Sequence, residues 1–66
     1  MKVKEVIRLI EADGWYFKRQ KGSHMVYNHL GKEGIVVVPN HGMNKDLKIG
    51  TAENILKQAG IKWNIL

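Results

Sequence analysis

The chain has 66 residues, room for one small domain spanning 1–66, since ordinary domains run to about 100–150 residues. Eleven Lys and Arg against six Asp and Glu leave a formal charge of +5 with the histidines neutral, which directs attention to an acidic partner. The lack of cysteine excludes disulfides and the commonest structural zinc sites, and 44% hydrophobic residues with a single proline exclude a disordered basic tail.

Val3, Val6, Ile7 and Ile10 recur at i, i+3, i+4 and i+7, with Lys4, Glu5, Arg8 and Glu11 on the remaining faces, so an amphipathic helix is predicted up to Gly14. Trp15 to Gln20 alternates Trp15, Phe17 and Arg19 against Tyr16, Lys18 and Gln20, the pattern of a strand, with Trp15 and Phe17 expected in the core. Lys21-Gly22 supplies a turn, His24 to Leu30 a second strand, Gly31 to Gly34 a hairpin loop, and Ile35 to Val38 a third strand stopped by Pro39. Asn40 to Asn44 is loop chemistry. Thr51 is the expected N-cap of a second helix, with Ala52, Ile55, Leu56 and Ala59 as its buried stripe and Gly60 as its stop. Ile61 to Leu66 is an apolar tail without an assigned element.

The order α-β-β-β-α predicts an α+β fold of two layers, a meander sheet with both helices on one face, which is also the layout of a double-stranded-RNA-binding domain. Val36, Val37 and Val38 are consecutive, so both faces of the third strand are apolar; a second copy of the chain or a protein partner is expected to cover the face the helices leave free. The opening Met1-Lys2-Val3-Lys4 and the short apolar runs contain no signal-type or membrane-spanning segment, so a cytoplasmic protein without membrane contact is expected.

Among residues able to carry chemistry, His24 follows the turn Lys21-Gly22-Ser23, with Lys18, Arg19 and Lys21 crowding the approach. An imidazole transfers protons at neutral pH, and neighbouring cations bind a phosphodiester and stabilise charge on its oxygens during attack. A lone histidine in a strand is more often simply a hydrogen-bonded structural residue, and the residues alone favour that reading. The spacing of His24, His29 and His41 fits no zinc motif, so no metal or other cofactor is assigned. Lys45 and Lys48 precede the second helix, where outward-pointing amides and flanking ammonium groups suit a phosphate.

These residues stand in an order that resembles one known family. Gly14-Trp15, then Arg19-Gln20-Lys21-Gly22-Ser23-His24 with Tyr27, then Val38-Pro39-Asn40-His41-Gly42, and then Asp46 to Thr51 running into Ile55 to Ile61 are similar to the HicA toxin endoribonucleases of bacterial toxin–antitoxin pairs. The sequence departs from that pattern at Ile49, where proline is common, and at Asp46, where glutamate is common. The resemblance implies a double-stranded-RNA-binding-domain-like fold, cleavage of messenger RNA, His24 of the Gly-Ser-His motif as the catalytic residue, and a HicB-type antitoxin protein as inhibitor. Lys18, Arg19, Lys21, Lys45 and Lys48 are then the expected phosphate contacts, and Ser23 orients His24 or the substrate. The rival expectations are a non-catalytic RNA-binding module of the same fold and an adaptor that binds protein through its apolar sheet face.

Overall fold

The computed structural model describes residues 1–62. Helix α1 (Val3–Ala12) is followed by strands β1 (Trp15–Lys21), β2 (His24–His29) and β3 (Val36–Pro39) and by helix α2 (Ile49–Gln58). The strands form one antiparallel sheet in the order β1-β2-β3. Val3, Val6, Ile7 and Ile10 of α1 and Ala52, Ile55 and Leu56 of α2 pack with Trp15, Tyr27, Val36 and Val38 in one core cluster. Both helices therefore cover the same face of the sheet, the two-layer α+β arrangement of a double-stranded-RNA-binding domain.

The helical stripes hold as read. At the start of α1 the Lys2 backbone N–H donates to Glu5 Oε1 at 2.7 Å, the reciprocal half of a capping box, and this bond holds the Glu5 carboxyl below its usual pKa. The next two amides, Val3 and Lys4, donate to the carbonyls of Lys45 and Met43 at 2.9 and 3.0 Å, so the loop between β3 and α2 is stitched to the helix start. Thr51 does not cap α2. The Leu47 N–H donates to Met1 O at 2.8 Å, which holds the chain extended as far as Lys48; Lys48 is the N-cap residue, and its carbonyl accepts the Ala52 N–H at 2.9 Å.

In the sheet, Trp15, Tyr16 and Phe17 stand opposite His29, Asn28 and Tyr27, and Arg19, Gln20 and Lys21 stand opposite Val26, Met25 and His24. Lys18 is the extra residue of a β-bulge between the two runs. The bulge shifts the phase of β1 by one, so Arg19 and Lys21 share a face with Tyr16 rather than with Trp15 and Phe17, contrary to the simple alternation. Phe17 also departs from expectation. It is 48% exposed, because β1 is an edge strand and the helices reach Trp15 but leave Phe17 packed edge-on against Tyr27, with ring centroids 6.0 Å apart.

Directly opposed residues point to the same side, so the register assigns the outer face, which no helix among the described residues covers. Lys21, His24 and Pro39 form one row across it; Arg19, Val26 and Val37 form the next; Tyr16 and Asn28 form the third, toward which Ile35 projects one residue ahead of β3. Val36 and Val38 are fully buried in the core while Val37 is only half-buried on the outer face, as three consecutive valines require. Of the apolar tail, Ile61 packs against the core; residues 63–66 lie outside the described residues. No helix among the described residues is long and apolar enough to cross a membrane.

Candidate functional site

His24 is the first residue of the central strand, exposed, and placed between Lys21 of β1 and Pro39 of β3. Among the described residues its imidazole has no hydrogen-bond partner, so both ring nitrogens remain available. The two-residue turn before it depends on Gly22, whose φ of +59° suits glycine; no atom of the described residues lies within 4 Å of where a Cβ would stand, so backbone conformation and not crowding calls for glycine here. The tight turn brings Lys21 directly opposite His24, and the bulge brings Arg19 to the same face one row further on. None of the six acidic residues lies in a strand, so the charge on this face is wholly positive.

The remaining predicted residues are distributed around that end. Lys18 sits exposed in the bulge without a cross-strand partner. Ser23 is half-buried, and its carbonyl accepts the Asn40 N–H at 2.6 Å, which closes the β1–β2 turn against the residue that follows β3. Lys45 and Lys48 are both exposed, on the loop that leaves this end of the sheet and on the N-cap of α2; they lie outside the sheet face that carries His24. His41 is exposed in the turn between Asn40 and Gly42.

Asn40 is a neighbour of this site that composition alone does not reveal. Its Oδ1 accepts the Gly42 N–H at 2.9 Å, and its Nδ2 lies 3.1 Å from Met25 Sδ and 3.5 Å from Met43 Sδ. These bonds fix the turn bearing His41 beside the strand that begins at His24. The signal available in the sequence was the run Pro39-Asn40-His41-Gly42, in which an Asn two residues before a Gly can bond its own backbone two residues on.

His29, at the other end of β2, is fully committed. The Gly31 N–H donates to its Nδ1 at 2.9 Å, so Nε2 carries the proton and donates to Asp13 O at 2.7 Å. Its ring stands edge-on to Trp15 at 5.2 Å, and a Cβ on Gly14 would lie 2.7 Å from Nε2, which together with a φ of +108° explains the glycine. Nearby, Lys32 Nζ donates to Asp13 Oδ2 at 2.6 Å and to Ala59 O at 2.9 Å, and Trp15 Nε1 donates to the same carbonyl at 3.1 Å. The Lys32 hydrogen bond is the main reason that the Asp13 carboxyl is held below its usual pKa.

A recess of about 320 Å³ opens on α2, lined by Glu53, Leu56, Lys57, Ile61 and Lys62. It shares no residue with the surroundings of His24. The His24 end is instead an open, cationic surface, suited to a polyanion laid along it rather than to a small molecule enclosed in it.

Comparison with known proteins agrees with this geometry at the level of the family. No curated protein matches the chain. The family model described as the HicA toxin of bacterial toxin–antitoxin systems matches residues 3–61, from the first residue of α1 to the residue that packs beyond the end of α2. The chain belongs to the HicA toxin family.

Proposed function

We propose that this HicA-family protein is an endoribonuclease that cuts messenger RNA, with His24 as the proton-transfer group. The observation that carries this reading is the placement of His24: exposed, without a protein partner among the described residues, opposite Lys21, and on a sheet face free of acidic residues. A histidine retained for structure would resemble His29, with both nitrogens bonded. Family membership supports the nuclease reading over that of a passive RNA-binding module.

The chemistry needs no group beyond the RNA and the protein. The 2′-hydroxyl oxygen next to the scissile phosphate attacks phosphorus, the P–O5′ bond breaks, and a 2′,3′-cyclic phosphate and a free 5′-hydroxyl result. One proton leaves the attacking oxygen and one reaches the departing oxygen; His24 handles one of these transfers. Lys21 and Arg19 hold the phosphate and offset the negative charge that builds on its oxygens, with Lys18, Lys45 and Lys48 as further backbone contacts. Ser23 orients His24 or the bound strand from within the turn. A HicB-type antitoxin protein is the cellular partner, silencing the toxin by covering His24 and the cationic surface. The substrate places both in the cytoplasm.

Incubation of the purified chain with a long RNA, followed by separation of fragments on a gel, tests the assignment. Fragments ending in cyclic phosphate are expected from the parent and none from His24→Ala. RNA retained but uncut by the parent would leave the RNA-binding module as the correct description, and no interaction would leave the adaptor. The pH profile assigns the role: a rate that rises through the imidazole range makes His24 the base, and one that falls makes it the acid.

A further inference from the structure

The outer sheet face extends well beyond His24, and its far end is chemically distinct from its near end. Asn28 lies four positions after His24 along β2, about 13 Å of strand, so a group bound at Asn28 belongs to a different nucleotide from the one being cut. Between them lies Val26, only 8% exposed although it stands on the face opposite the helices. At the far end Tyr16 stands opposite Asn28 with its side of the sheet open and 42% of its surface exposed. The Asn28 Oδ1 is enclosed yet has no hydrogen-bond partner among the described residues, so they leave this oxygen unsatisfied.

We propose that the outer face is the track of a single-stranded RNA segment, which runs from His24 to the Tyr16–Asn28 pair, and that this pair reads a base at a fixed offset from the cut. The proposal rests on the nuclease reading above and adds to it the surface and the residues that choose the site. Charge favours RNA as the occupant: the face carries Arg19 and Lys21 and no acidic residue, and it is continuous with the catalytic histidine. An exposed aromatic ring beside an amide is the combination with which proteins hold unpaired bases, the ring taking the base's face and the amide its edge. A turn about the terminal amide torsion, which is broad, presents Oδ1 to an exocyclic amino group or Nδ2 to a ring nitrogen or carbonyl. The bulge at Lys18 makes this arrangement possible, since without it the two ends of β1 would be out of phase: with Tyr16 kept opposite Asn28, Arg19 and Lys21 would face the helices.

The test uses two readouts on the full chain. In a His24→Ala background, which separates binding from cutting, Tyr16→Ala is expected to bind single-stranded oligoribonucleotides about 5- to 150-fold more weakly, the range of one base stack removed, while Tyr16→Phe stays within about threefold. With His24 intact, Asn28→Ala is expected to keep cutting but to lose base preference at one position of the cleavage-site map, offset from the scissile bond. Melting temperatures accompany each variant, and Tyr16→Leu, apolar but without a ring face, replaces the alanine if that variant fails to fold. Parent-like binding by the ring-less variants, or an unchanged site map for Asn28→Ala, overturns the proposal. So does a Tyr16 variant that handles RNA normally but no longer binds a protein partner, since the face would then be a protein dock. Failure of the nuclease reading looks different: the parent does not cut, or His24→Ala cuts at the parent rate.

Discussion

The two histidines of β2 lie five residues apart, at opposite ends of the strand and on opposite faces of the sheet. His29 faces the helices, and both its nitrogens are bonded to backbone groups of segments that must be held together, the end of α1 and the β2–β3 loop. His24 faces outward among cations, with neither nitrogen engaged by the described residues. The same side chain is thus bonded into the fold at one end and left unengaged by the described residues at the other. What separates them is strand parity and the partners within reach, and neither can be read from residue type.

The comparison implies that damage at the His29 end costs stability and damage at the His24 end costs chemistry. The largest stability effect is expected from Trp15→Ala. It removes a side chain that is 2% exposed, stacks edge-on against His29 and donates to Ala59 O, and a loss of about 3–5 kcal/mol is enough to unfold much of so small a chain. Urea denaturation checks it; a parent-like midpoint would mean that this end of the sheet does not hold the fold. At the other end, changing Lys45 and Lys48 together to Ala should leave the melting temperature in place. It should weaken RNA binding evenly across sequences and reduce the log–log salt slope by about 0.7 for each phosphate that these lysines neutralise. A weakening confined to one RNA sequence would show that these lysines read bases.

A smaller effect separates the two ends by pH. The folded-state pKa of Asp13 lies below the ordinary 3.8, chiefly through its hydrogen bond from Lys32. A depressed carboxyl contributes its full stability above the unfolded-state value and loses it as pH falls through the folded-state value. The gap in melting temperature between the parent and Asp13→Asn should therefore be constant from pH 5 to 7, about where carboxylates are fully ionised, and close as pH drops below about 4. A gap that does not narrow as pH falls would mean that the charge of Asp13 is not what the side chain contributes, since Asp13→Asn keeps the backbone carbonyl that His29 binds.

Much of this was legible in the sequence. The stripes of α1 and α2 carry the helical period so cleanly that each apolar position named there is buried, and Gly14 and Gly60 end the helices where glycine is needed. The failures have a common cause in interactions between distant segments. Thr51 has the chemistry of a cap, but the bond from Leu47 to Met1 moves the helix start to Ile49. Phe17 has the hydrophobicity of a core residue but lies on an edge strand beyond the helices. The bulge at Lys18 depends on how β1 meets β2, and no local pattern announces it, yet it decides which cations stand beside His24. His29 could be named only as one of three histidines, because its role is defined by carbonyl and amide groups that the fold alone brings to it.

The central claim, that one histidine of β2 serves the chemistry and the other the fold, is tested most directly by His24→Ala and His29→Ala prepared in parallel, with melting temperature and RNA cleavage rate measured on the same samples. His24→Ala is expected to melt within about 1 kcal/mol of the parent and to lose cleavage by roughly 10²- to 10⁴-fold. His29→Ala is expected to lose about 1–3 kcal/mol, since it leaves the Asp13 carbonyl and the Gly31 amide without their partner, while the fraction that remains folded cuts at the parent rate. A His24→Ala protein that melts normally and cuts like the parent, or a stable and folded His29→Ala protein that no longer cuts, would contradict the account.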